Sequence, residues 1–309
     1  MTQDRTLAGV ALILIFCAIA PLLDVASKLA AATIPVGQIT TARFLLQGLI
    51  MLPVVLFMGL NWHASARVWW LITVRAVFLI LSTYSFVAAI QYMPLADALA
   101  IVFVEPFILL ILGSLLLGDE VGPRRIAACM VGFCGSLLVI QPSLMVFGAI
   151  ALFPLGTAFF FAFYMLITRS LASSIHPVTM QLHTSIAGTL ICLPLLAFFD
   201  GTGIASLDPV IPQGWAWLWL AGVGFWAAVS HMCMTYALKF APASTLAPLH
   251  YLEIISAVGF GYLVFGDFPN ALTWAGIAVI VASGMYIILR ERKVARQRRA
   301  AAATAAPVH

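Results

Sequence analysis

The chain contains itself twice. Shifted by 148 positions, Tyr92-Met93-Pro94 falls on Phe240-Ala241-Pro242, Ala89 on Ala237, Glu105 on Glu253, Gly113 on Gly261, and Gly118-Asp119 on Gly266-Asp267, with no gap. A fixed offset of this kind in an apolar chain is the mark of a membrane fold built from two structural repeats. Each copy must then pack against the other, and any site between them draws on both.

Apolarity fixes the solvent. The chain is 63% hydrophobic and 8% charged, with a mean hydropathy of +1.10; a soluble domain carries about a quarter charged residues. Ten apolar runs approach spanning length, roughly 7–31, 36–59, 68–91, 96–117, 124–141, 146–169, 178–199, 213–238, 243–265 and 271–290. Lipid cannot satisfy open backbone groups, so each is read as a helix. The expected fold is an all-α integral membrane protein of ten transmembrane helices in two five-helix repeats. Residues 1–141 form the first repeat, 142–290 the second, and 291–309 a basic, disordered cytoplasmic tail. Arg5 before an apolar run and Ala18-Ile19-Ala20 imitate a cleavable leader, but the run continues through Leu22-Leu23 and is read as a retained first helix.

The net charge of +4 is a topology signal, not a nucleic-acid footprint. With the N-terminus cytoplasmic, inside segments hold Arg5, Arg67, Arg124, Arg125, Arg169, Lys239 and the basic residues from Arg290 onward, and outside loops hold none. Lys28, Arg43 and Arg75 lie within spans. This positive-inside pattern puts both termini in the cytoplasm. An odd number of spans per repeat turns the second copy upside down. Gln91, outside, matches Lys239, inside; Arg124 and Arg125, inside, match Leu272 and Thr273, outside. The first two spans of each half align at an offset of 141, where Pro53 meets Pro194 and Arg67 meets Asp208. The repeat is therefore read as inverted, with its axis in the membrane plane. Cys17, Cys129, Cys134, Cys192 and Cys233 all lie in apolar runs and are read as buried thiols.

The stretch Ala89-Ile90-Gln91-Tyr92-Met93-Pro94-Leu95-Ala96, then Glu105-Pro106, Gly118-Asp119-Glu120, Gly132 and Gly135, resembles the EamA domain of the drug/metabolite transporter superfamily. Ala237 to Ala243, then Tyr251-Leu252-Glu253 and Gly266-Asp267, resemble it a second time. The second copy departs where Ile254 replaces the proline after the acid and Asp267-Phe268 replaces the usual acidic pair. Within the superfamily, Leu23 to Lys28 with Thr41-Ala42-Arg43-Phe44 is similar to bacterial amino-acid and metabolite transporters, aromatic-amino-acid exporters among them. The resemblance implies a ten-helix basket in which spans 1, 3, 4, 6, 8 and 9 line a central cavity.

Ionisable groups inside spans cost a few kcal/mol or more and each needs a reason. Asp24 and Lys28 share a helix face, and Arg43 sits at the same depth, about 10 Å from the outer surface. Asp24, Lys28 and Arg43 are read as an outer cluster, either a fixed ion network or a gate that anchors a substrate carboxylate. Glu105 and Glu253 lie near the midplane in equivalent positions, where repeat transporters place substrate or coupling-ion sites. His231 and His250 lie about 12 Å from the inner surface. The resemblance puts Tyr84 and Tyr164 on cavity-lining spans, while Phe103, two residues from Glu105, is expected on the opposite face from it. Tyr84, Glu105, Tyr164, His231, His250 and Glu253 are thus the candidate substrate-binding residues. The spacing of the two histidines with Glu253 is not a metal motif, and no metal, cofactor or catalytic residue is expected. Trp69, Trp70, Trp215 and Trp217 read as interfacial anchors. Ala128 and Gly132 form a small-xxx-small face that suits an internal contact or a dimer.

Together these features predict a secondary transporter in the bacterial inner membrane, working by alternating access of the two repeats. Its expected substrate is a small organic metabolite, amino acids first, with export favoured and protons as candidate coupling ion. No nucleic-acid partner is expected; the chain is a monomer or homodimer in the lipid bilayer. No Gly-Lys-Ser/Thr phosphate loop is present to use ATP. The alternatives are an importer of a larger metabolite such as S-adenosylmethionine, and a membrane-embedded enzyme, whose cytoplasmic candidate, Asp119-Glu120 beside Arg124-Arg125, reads as a solvated turn.

Overall fold

A computed structural model describes residues 5–118, 122–140, 148–266 and 271–305. Among them every regular element is helical. The first repeat runs α1 (Thr6–Ala30), α2 (Val36–Phe57), α3 (Ala66–Ile90), α4 (Leu95–Val102), α5 (Glu105–Leu117) and α6 (Pro123–Ile140). The second opens with a 3-10 turn, Gly148–Ala151, and runs α7 (Leu152–Leu171), α8 (Pro177–Phe198), α9 (Ala216–Phe240), α10 (Ala243–His250), α11 (Glu253–Phe260) continued by a π-helical turn (Gly261–Phe265), and α12 (Ala271–Ala305). The Asp119-Glu120 and Asp267-Phe268 turns lie outside the described residues.

Seven helical segments are long and apolar enough to cross a membrane by themselves. Glu105–Leu117, Ile126–Gly135 and Trp274–Arg290 are shorter apolar helices. The run at 96–117 is not one helix but two, α4 and α5, separated at Phe103-Val104. The run at 243–265 is split in the same way at Tyr251-Leu252. Both splits are tight turns: Val104 N–H donates to Ile101 at 3.2 Å and Ile254 N–H to Tyr251 at 3.2 Å. The element boundaries repeat at the 148 offset, from the Pro94 and Pro242 starts to the Gly118 and Gly266 ends. Those glycines take φ of 67° and 77°, a left-handed cap that other residues adopt at a cost.

The tail departs from expectation. It was read as disordered from residue 291, yet α12 continues to Ala305. Alanine, arginine, lysine and glutamine are strong helix formers, and extending an existing helix needs no new nucleus.

α1 packs on α9 and α3 on α7, an exchanged pair under the repeat; α2 packs on its own counterpart α8, and α6 on α12. Glycine sets the closest approach. A Cβ at Gly188 would stand 2.4 Å from the Phe44 ring, where α2 meets α8. One at Gly132 would stand 2.6 Å from the Tyr251 ring. The Ala128–Gly132 face is therefore used inside the molecule.

Candidate functional site

The two helix breaks put Glu105 and Glu253 at the first position of α5 and α11. The partial positive charge of a helix start favours a carboxylate there. His250, the last residue of α10, lies between them. Its Nδ1 is hydrogen-bonded to Glu105 Oε2 at 2.8 Å, and its Nε2 lies 3.2 Å from Glu253 Oε2, within ion-pair distance but without hydrogen-bond geometry. One imidazole thus stands between the glutamates related by the repeat. The proton between Nδ1 and Oε2 can be held from either side, so that contact persists with an ionised or a neutral pair. Glu105 is 1% exposed and its second oxygen, Oε1, has no hydrogen-bond partner.

The triad forms part of a cavity that runs from the level of the helix breaks toward the face carrying the α1–α2 and α3–α4 connections. Its walls combine aromatic and apolar residues, Phe16, Phe86, Phe103 and Phe161 among them, with about as many polar ones, Asp24, Arg43, Thr83, Glu105, His231, His250 and Glu253 among them. Such a composition suits an organic solute with an apolar body and polar groups to be held. On the opposite side of the helix breaks all of α10 is buried.

Arg43 faces the triad across this space. Its Nη1 donates to the Thr83 hydroxyl and its Nη2 lies 2.6 Å from His231 Nε2. A guanidinium only donates, so Nε2 accepts and the neutral His231 carries its proton on Nδ1. Nδ1 lies 3.0 Å from the Tyr164 hydroxyl, which also accepts from Arg75 Nη2 at 2.8 Å. Arg75 is fully buried. Its remaining donors go to Thr168 at 2.7 Å, to Thr184 and to Gln181 at 3.3 Å. Neither arginine is paired with a carboxylate among the described residues. Arg43 Nε, buried in the cavity wall, has no hydrogen-bond partner.

The expected site residues divide accordingly. Glu105, His231, His250, Glu253, Asp24 and Arg43 meet at the cavity. Tyr164 stands behind it, holding His231. Tyr84 is not among the cavity-lining residues and packs against the apolar cluster that includes Leu23, Ala26 and Val87. Lys28 is separated from Arg43, donating to the Met93 carbonyl at 3.4 Å and lying 5.0 Å from the Phe265 ring centre. Phe103 lines the same cavity as Glu105, against expectation. The face rule for residues two apart assumes a continuous helix, and the chain breaks between them. Arg75, Thr168, Thr184 and Gln181 were missed. Their only sequence signal was a charge in the middle of a span.

The chain has known relatives. The description "EamA-like transporter family" matches residues 7–141 and again 147–290. The chain belongs to the EamA-like transporter family. It is similar to a riboflavin transporter of Rhizobium johnstonii, 30% identical, with 81% of this chain and 80% of that protein covered. It is also similar to an S-adenosylmethionine uptake transporter of Rickettsia felis, 24% identical over 87% and 88%, and to a pseudopaline exporter of Pseudomonas aeruginosa, 26% identical over 92% and 96%. A crystal structure 17% identical superposes with a TM-score of 0.75, covering 95% of this chain and 99% of that one, which shows the fold. The protein is a multi-pass membrane transporter of the EamA type.

Proposed function

We propose that this EamA protein carries an amino acid, or a metabolite bearing an amino-acid group, by alternating access of its two repeats. The observation that supports this most is a pair of buried atoms without a hydrogen-bond partner on two residues that line one cavity. Arg43 Nε is a donor that suits a carboxylate, and Glu105 Oε1 is an acceptor that suits an ammonium group. The phenyl rings between them suit an apolar side chain or ring. Names of relatives that carry larger solutes place no lower limit on this substrate, but they favour a body larger than a simple amino acid.

In this reading α4 with α5, α6 and α12 complete ten spans, and residues 1–141 and 142–290 are the moving halves. Positive-inside charge makes the cavity face the outside of the inner membrane and keeps both termini in the cytoplasm. The Glu105–His250–Glu253 triad takes up and releases a proton as substrate leaves and enters. Export is the favoured direction. Import of a larger metabolite is the second reading, supported by the similarity to an S-adenosylmethionine uptake transporter.

The test is uptake and counterflow in proteoliposomes across a panel of amino acids, S-adenosylmethionine and riboflavin, with and without a pH gradient. The reading expects counterflow with a compound bearing both carboxylate and ammonium groups, and loss of the gradient's effect in Glu105→Gln. Transport confined to solutes lacking a carboxylate would sink it.

A further inference from the structure

The chain's most unusual buried group is Arg75, and the repeat explains where it stands. Its Nη2, Nε and Nη1 donate to Tyr164, Thr168 and Thr184. Shifted back by 141 positions, those residues fall on Leu23, Ser27 and Arg43. All three line the present cavity. The guanidinium of Arg75 therefore occupies the volume in the closed half that the repeat makes equivalent to the open cavity. The cavity floor is common to both halves. Phe16 with Thr157, Thr83 with His231, and Glu105 with Glu253 are repeat partners that line it together.

We propose that Arg75 is a second carboxylate-binding site, buried in this state and opening to the face opposite the present cavity when the halves exchange. The proposal rests on the transport reading above and adds the group that holds substrate on the other side. Chemistry supports an anion there. The Arg75 acceptors are all neutral: one phenol, two threonines and an amide. A buried cation without a counter-charge is costly, and a latch made only of hydrogen bonds would not need one. Gln181, 0% exposed, accepts from Arg75 through Oε1 while its Nε2 has no partner. A guanidinium fork beside a spare amide donor suits the two oxygens of a carboxylate. Arg43 and Arg75 sit at the two ends of one bridge, His231 and Tyr164. A carboxylate released by Arg43 thus finds the next guanidinium across that bridge. The repeat does not duplicate the cation in place. The counterpart of Arg43 is Thr184 and that of Arg75 is Val223, so each half takes its cation from a different helix.

Charge-selective cysteine labelling tests this without knowing the transported solute. In a background with the native cysteines replaced, Thr168→Cys reports on the Arg75 wall and Ser27→Cys, its repeat partner, on the present cavity. Sealed vesicles of each orientation receive an impermeant methanethiosulfonate carrying either a sulfonate or a quaternary ammonium group. Thr168→Cys should react only from the face opposite the present cavity, and about tenfold faster with the anionic reagent, as one nearby unit charge supplies. Benzoate on that face should slow the reaction. Arg75→Gln should abolish both the preference and the benzoate effect, and Arg75→Lys should keep the preference. Ser27→Cys should react from the other face whichever residue is at 75. Absence of labelling from the opposite face, or a charge preference that survives Arg75→Gln, would overturn the site. Labelling as expected with a panel that finds no amino-acid substrate would overturn the substrate reading and leave the carboxylate site standing.

Discussion

Two buried residues do most to set the chemistry. Arg43 lines the cavity, is held by Thr83 and His231, and has a buried Nε without a hydrogen-bond partner. A lysine keeps the charge but cannot reach both partners and the substrate at once. Arg43→Lys should therefore raise KM by about tenfold and Arg43→Gln by more, since losing one member of a buried charged hydrogen bond costs about 2–5 kcal/mol; transport kinetics at matched expression would show it. An unchanged KM in Arg43→Gln would remove the anchor role. His250 separates two buried carboxylates. His250→Ala should cost roughly 3–5 kcal/mol of stability, read as an earlier thermal transition in detergent. Adding Glu105→Gln and Glu253→Gln should restore most of it, because the loss comes from uncompensated charge rather than from the ring.

The helix breaks are the elements that make the site. They occur where the sequence gives two different signals. The first has Pro106 at the second position of α5; the second has Ile254 there and breaks all the same. Proline is thus not what opens the helix. Pro106→Ala should keep transport within about twofold of wild type, as proline is tolerated rather than required in a first helical turn; abolished transport would assign the break to proline. Helix pairing is set by absent side chains. Gly188→Val would drive a side chain into the Phe44 ring and should destabilise by about 1–3 kcal/mol. Phe44→Leu in the same chain should recover part of that loss, measured by thermal unfolding of single and double variants.

At the scale of the whole molecule, symmetry supplies the frame and asymmetry the polarity. The breaks, caps and midplane glutamates are repeated, while His250 faces Val102, Arg43 faces Thr184 and Arg75 faces Val223 across the repeat. One half is open and the other is sealed by α10 and the Arg75 cluster. The orientation proposed for this frame is directly measurable. A green fluorescent protein fused after His309 should fluoresce and an alkaline phosphatase at the same point should be inactive, since the first matures only in the cytoplasm and the second only outside it. The reverse pair of results would invert the assignment of the two faces.

The sequence by itself determined the solvent and the duplication, and its charge pattern carries the proposed inversion. These depend on composition, spacing and charge side, which a chain carries whatever its fold. It also picked out Glu105, His231, His250, Glu253 and Arg43, because a charge or imidazole in lipid needs a reason wherever it points. Direction was beyond it. Whether Phe103 reaches the cavity depends on a helix break, whether Tyr84 does depends on how α3 is turned against its neighbours, and where Lys28 reaches depends on what packs around it. Arg75 shows the limit most clearly. Its position in a span was visible, but its meaning came from Tyr164, Thr168 and Thr184, which lie about ninety to a hundred and ten residues away in sequence. Only packing α3 against α7 and α8 brings those groups within hydrogen-bond reach, and their repeat partners Leu23, Ser27 and Arg43 are what support the proposed second site.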